Sequence, residues 1–431
     1  MNDIANKAQG LGLALITKLA GSDLIDQLKL RKIIERSLYQ GSKAGFKTLG
    51  STQKIFKQKS NTPTQRLSNQ QKGLFDLSLS EEQQMTVDAM QQFAHEVLYP
   101  LAHTADHQAT FPENLWAQFK DLGVNYYALP EQYGGVASEK NVVTNVLIAE
   151  QLAQGDFSLT ATLLSSFSVI NAITQWGSAE IQNKYLSAFS EQDDLFATFA
   201  VQENTPAFNP FQLKTKATRQ GDHFVINGEK TIVILGEQAD LLLVSADLDG
   251  TAQVFIVERN ETISYKANPA MGLKATQSVS LKFNNTPAFK LNEQDFDYSA
   301  FIDLGNLMWC AMAVGTCQAV KQYCIQYANE RTAFGEPISH RQSVAFMIAD
   351  MAIEIDAMKM LVLNAASRAE SGLSFHREAY LARILCAEKS MKIGTDGVQL
   401  LGGHGFTKEH PVERWYRDLR ATAIMHSGLH A

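Results

Sequence analysis

Three long stretches with helical spacing of apolar residues, about 298–330, 340–370 and 375–401, fill most of the last third of this chain. A shorter one follows near 411–424. Apolar residues that recur every three or four positions line one face of a helix, and that face needs a partner to bury it. Long helices in tandem bury such faces against one another. Residues 293–431 are therefore expected to form a four-helix bundle, around which the rest must pack.

The preceding segments have a different grain. A capping-box pattern at Ser80-Glu81-Glu82-Gln83 opens a helix over Met85–Leu98. Pro100 breaks it, and Asn114–Leu122 is a short helix stopped by Gly123. Helices follow over about 139–154, 157–176 and 178–190, with Gly155 and Gly177 at their ends. Near Phe196 the pattern turns to short β-rich runs at 215–218, 223–226, 241–245, 254–257 and 278–283. Gly221-Asp222, Asn227-Gly228 and Asp249-Gly250 punctuate them as turns. The fold class expected is α+β, mostly α. A basic extension covers 1–72, a helical domain 73–195, a small antiparallel β domain 196–292 and the bundle 293–431.

Composition narrows the function classes. Of 38 Lys+Arg and 45 Asp+Glu in the whole chain, residues 1–72 hold 13 and 4, so a basic leader precedes an acidic body. The leader lacks aromatic residues interleaved with its charges, which argues against nucleic-acid binding. Residues 10–39 read as an amphipathic helix with a basic face, and 41–72 as a polar linker. Such a helix docks on protein or lies in a lipid interface, so peripheral membrane contact through residues 10–59 stays open. Four Cys make no disulfide framework, and no uninterrupted apolar run has transmembrane length. With no secretory pattern at the start, the expected location is the cytoplasm. Cys310, Cys317 and Cys324 recur every seven residues as a packing seam, and His95, His103 and His107 have no spacing that suits a metal; no metal site is expected.

Three strings in the bundle are distinctive. They are Glu330-Arg331-Thr332-Ala333-Phe334-Gly335, Gln399-Leu400-Leu401-Gly402-Gly403-His404-Gly405-Phe406, and Pro411-Val412-Glu413-Arg414 followed by Arg417-Asp418. Pro130-Glu131-Gln132-Tyr133-Gly134-Gly135, Ile226-Asn227-Gly228-Glu229-Lys230 and Met271-Gly272-Leu273-Lys274 add to them. In this order, with helices, sheet and helices in succession, they resemble the acyl-CoA dehydrogenase family over about 74–426. The resemblance implies a tetrameric FAD flavoprotein of fatty-acid or related acyl-CoA metabolism. Its substrate is an acyl-CoA thioester, oxidised by α,β-dehydrogenation, and an electron-transfer acceptor is a further partner. The FAD lies between the sheet domain of one subunit and the helices of a neighbour. Arg331, Phe334, Gln342, Gln399, Gly402 and Gly403 match positions that contact the dinucleotide.

Elsewhere the sequence departs from the family pattern. The family's Thr-Glu-Pro-Gly-Ala-Gly-Ser-Asp reads Gln202-Glu203-Asn204-Thr205-Pro206-Ala207-Phe208-Asn209. Its Trp-Ile-Ser/Thr, which packs on the flavin ring, reads Ile232-Val233-Ile234. The position of the catalytic Glu holds His426, and the alternative position on the first bundle helix holds Gly305. A neutral imidazole can accept a proton near pH 7, so His426 is the candidate base. The oligomer is expected to be either a homo-oligomer or a hetero-oligomer with a related dehydrogenase. In the second case this chain would be a catalytically impaired subunit completing the FAD site of another chain.

Overall fold

The computed structural model describes residues 78–135, 137, 141–191, 195–221, 223–292 and 296–431. The expectations for the basic leader lie outside them. The first described helix, α1 (Glu81–Phe93), starts at the capping box. The Ser80 hydroxyl accepts from the Gln83 N–H at 3.1 Å, and the Gln83 side chain accepts from the Ser80 N–H at 3.1 Å. A π-helical turn, Ala94–Leu98, carries α1 directly into α2 (Tyr99–Gln108). Pro100 therefore does not end the helix, because it sits in the first turn of α2, where an N–H is least missed. Next come α3 (Leu115–Asp121), α4 (Val124–Ala128), α5 (Val142–Leu152), α6 (Phe157–Trp176) and α7 (Ala179–Glu191). The Asp156 carboxylate caps α6 by accepting from the Leu159 N–H at 2.9 Å.

The middle region is one seven-stranded sheet: β1 (Ala197–Ala200), β2 (Lys216–Gln220), β3 (His223–Val233), β4 (Leu241–Leu248), β5 (Thr251–Glu258), β6 (Ile263–Ala267) and β7 (Val279–Lys290). The sheet is mixed rather than purely antiparallel. β1 runs parallel to β4, with Ala197 opposite Leu241, and Lys216 of β2 pairs in parallel with Asp247. Apolar spacing finds a strand but does not reveal its direction, and β1 is buried along its whole length.

The bundle follows its periodicity closely. Asp297 caps α8 (Tyr298–Glu330) through the Ala300 N–H. A two-stranded turn, β8 (Thr332–Ala333) and β9 (Glu336–Pro337), leads to α9 (Gln342–Glu370), α10 (His376–Leu401), α11 (Val412–Asp418) and α12 (Ala421–Ile424). α8 lies at the centre, against α9, α10 and α5. α6 and α8 are long and apolar enough to cross a membrane by length and composition, but 89% and 94% of their most apolar windows are buried inside the body. Cys310, Cys317 and Cys324 are free thiols buried on α8, as a packing seam requires. Among the described residues no group of His, Cys, Asp and Glu could hold a metal ion.

Charged residues tie the parts together. Arg414 Nε donates to Asp156 at 3.0 Å, and both side chains are at most 5% exposed. Asp418 accepts from the Ser158 hydroxyl at 3.2 Å and from the Leu273 N–H at 2.7 Å. Arg417 makes paired bonds to Asp106, at 2.8 and 2.7 Å, and to Glu413, at 2.8 and 2.9 Å. Removing one member leaves a buried charge without its counterpart. Arg414→Leu is expected to lower stability by about 3–5 kcal/mol in urea unfolding; a change within the error of the measurement would refute this account.

Candidate functional site

The surface strings of the bundle meet at one crevice. Arg331 ends α8, its N–H bonded to the Tyr327 carbonyl at 2.8 Å. Arg331 and His404 line a cavity of about 310 Å³, with Tyr323, Gln326, Tyr327, Glu330 and His410 completing its wall. The hydroxyl of Tyr327 is 2.8 Å from His404 Nδ1, and that of Tyr323 is 2.7 Å from His410 Nδ1. The two imidazoles stack with centroids 5.3 Å apart. The two tyrosines thus hold a short imidazole stack beside an exposed guanidinium.

The diglycine beside this crevice is open. A Cβ added to Gly402 or Gly403 would meet nothing within 4 Å, and Gly402 has φ +60. Its N–H returns to the Gln399 carbonyl, so the helix end and the loop are one unit. Phe334 is 97% exposed with φ 55, and the Arg341 guanidinium lies 5.7 Å from its ring centroid. Gln342 begins α9 and Gln399 lies in the last turn of α10, both exposed. Arg331 and His404 line the crevice, and Gly402 and Gly403 directly precede His404 in the chain. Phe334 and Gln342 stand beyond the turn that leaves α8. An arginine, open backbone and aromatic walls are what a nucleotide diphosphate needs from a protein surface.

The second half of the expected site lies where the sheet meets α12, and there its residues bond to or pack against one another. Gln202, 5% exposed, donates from Nε2 to the Ile424 carbonyl at 2.9 Å. Its Oε1 has no hydrogen-bond partner. Glu203 is taken by structure: it accepts from the Lys214 and Thr215 N–H groups and pairs with Lys230 at 2.9 Å. Burial pulls the Lys230 amine down to about 8, against the opposing pull of Glu203. Phe208 packs edge-on against His426, ring centroids 6.0 Å apart. Ala207, at φ 50, bends the chain where only glycine would do so without strain. Ile232, at φ 52, sits in a bulge between Lys230 and Val233, and Val233 and Ile234 are buried.

His426 itself is engaged. Its Nε2 is 3.2 Å from Arg383 Nη2, and Arg383 also donates to the Met425 carbonyl at 2.6 Å. Burial, with help from the Arg383 charge, pushes the imidazole pKa down to about 4. The ring is therefore neutral at pH 7, but its lone pair faces a guanidinium donor and it is a weak base. Gly305 is also unavailable: a Cβ there would lie 2.5 Å from Ser427 Cα. Sequence reasoning found Gln202, Phe208 and His426 but not their contacts, and it missed Arg383, which no motif marks.

The sign of the pH effect follows from the depressed imidazole. The unfolded chain takes up a proton near 6.5 and the folded chain only near 4, so this residue's share of stability falls as pH drops through that window. His426→Asn is expected to reduce the difference in urea midpoint between pH 7 and pH 4.5. An unchanged difference would show that folding does not depress the ring.

The comparisons agree with this architecture. Residues 80–193 match the model of the acyl-CoA dehydrogenase N-terminal domain, and 298–428 that of the C-terminal domain. Cyclohex-1-ene-1-carbonyl-CoA dehydrogenase of Geobacter metallireducens is 32% identical over 363 residues, covering 80% of this chain and 94% of that protein. An acyl-CoA dehydrogenase of Bacillus subtilis is 30% identical, covering 81% and 95%. Among solved structures, butyryl-CoA dehydrogenase from Megasphaera elsdenii superposes with a TM-score of 0.74 at 28% identity, covering 81% of this chain and 95% of that one. The succession of helices, sheet and helical bundle is thus that of a known frame, and the chain belongs to the acyl-CoA dehydrogenase family.

Proposed function

We propose that this chain serves the α,β-dehydrogenation of an acyl-CoA thioester as a flavoprotein subunit, with FAD as the cofactor. The crevice at Arg331 carries the reading. Its lining suits the dinucleotide end of FAD: Arg331 for the diphosphate and the His404–His410 stack with its tyrosines for a planar base, with the open backbone of Gly402 and Gly403 in the same loop as His404. Phe334, Gln342 and Gln399 are assigned to the same surface. When bound, FAD supplies the acceptor for the hydride.

The ring end does not fit this chain's own cleft. A planar ring between two walls needs roughly 7 Å between the flanking atoms, two van der Waals contacts deep. Gln202 and Ile424 are hydrogen-bonded at 2.9 Å instead. No step is therefore routed through a flavin in that cleft, and His426 is assigned a positioning role, holding Arg383 against the Met425 carbonyl. A homo-oligomer or an assembly with a related dehydrogenase both suit a crevice that faces outward. An electron-transfer acceptor and a cytoplasmic setting accompany the reading as family expectations.

The native assembly, purified through a tag on this chain from its own cells, is expected to show flavin absorbance that bleaches on addition of an acyl-CoA. A colourless assembly, or one that no acyl-CoA bleaches, would refute the function. Arg331→Ala is expected to lower retained flavin about tenfold or more, the loss of one charge-assisted contact of about 1.5–3 kcal/mol. Full retention would remove Arg331 from the site.

A further inference from the structure

We infer that the segment Met425–Ala431, together with Gln202 and Phe208, is an internal plug that seals this chain's own flavin-ring and acyl cleft. The flavin served by its crevice would then carry its ring on another chain. This rests on the cofactor reading above and adds where the ring is not.

The segment is built into the body rather than laid on it. Met425, Ser427, Leu429, His430 and Ala431 are all buried. The Trp309 indole donates to the Ser427 carbonyl at 2.6 Å, and the Ser427 N–H donates to Asn306 at 3.1 Å. The Trp176 indole donates to His430 Nε2 at 2.9 Å, while His430 Nδ1 lies 3.0 Å from the Ala431 carbonyl. The Phe301 ring packs on His430 at 5.7 Å. The anchors come from α6 and α8, with Arg383 of α10 holding the Met425 carbonyl. Ser427 adopts φ 52, so the turn that brings the segment back onto Gly305 is held against its local preference.

Three independent features agree. The sheet is stitched to α12 by Gln202, which stands where the family pattern has a hydroxyl. Phe208 fills the space next to His426 with an aromatic ring of its own. The positions of the family's indole and hydroxyl hold Ile232 and Ile234, whose aliphatic side chains pack on the helical core and offer no hydrogen bond to a polar ring edge. Opening this cleft means breaking a set of buried hydrogen bonds and exposing aromatic surface at once. The crevice at Arg331, by contrast, is already open.

The test uses the full chain, purified alone and equilibrated with excess FAD before gel filtration. The expected result is less than about 0.1 ring-bound flavin per chain, scored by a shifted visible band and quenched emission. One ring-perturbed flavin per chain would overturn the plug. A variant combining Gln202→Ala, Phe208→Ala and removal of residues 429–431 is expected to gain such flavin when its circular dichroism matches the parent. A folded variant with no gain would also overturn it. If that variant does not fold, the parent's stoichiometry still decides. Dialysis against ADP, which has no flavin ring, probes the crevice separately. Binding that Arg331→Ala weakens at least tenfold supports the crevice, and its absence sinks the cofactor reading without touching the flavin count.

Discussion

The fold depends on a group of charges with little access to water. Asp156 at the head of α6, Asp106 in α2, and Arg414, Arg417 and Asp418 in α11 meet where the helical region, the sheet and the bundle come together. Burial pushes the carboxyls of Asp156 and Asp418 upward; the Asp156 charge adds to the rise at Asp418, and that of Asp106 to the rise at Asp156. Arg417 prevails over burial at Asp106 and holds it low. Such a cluster is a poor source of net stability but a demanding specifier, since nearly any other arrangement strands a charge. It also reaches the Leu273 N–H, in the turn before β7. One contact set thus fixes three regions of the chain.

Much of this was readable beforehand. The 298–330 helix appears as Tyr298–Glu330, and the capping box at Ser80 forms with both its bonds, because local periodicity and capping chemistry act within a few residues. Pro100 misled because its effect depends on position within a turn. Strand direction was invisible for a similar reason: Ala197 pairs with Leu241 across a connection that the local pattern does not describe. At the site, the loss of the family's Trp and hydroxyl was plain at Ile232–Ile234. Whether the gap had closed was not. Closure rests on Gln202 meeting Ile424, 222 positions away, and residue type alone carries no distance.

The crevice side and the cleft side differ in a physically telling way. On the crevice side, Phe334 stands almost wholly in water, and Gly402 and Gly403 leave their backbone bare. On the cleft side, every change moves toward self-sufficiency: aliphatic for aromatic, amide for hydroxyl, an aromatic Phe208 for a serine. The first surface suits an external occupant and the second a finished core.

Two of the chain's four tryptophans, Trp176 and Trp309, donate their indole N–H groups to residues of the 425–431 segment. Indole emission is sensitive to the loss of such a bond and to the arrival of solvent. The molecule therefore carries its own optical gauge of whether that segment is seated, readable without any label.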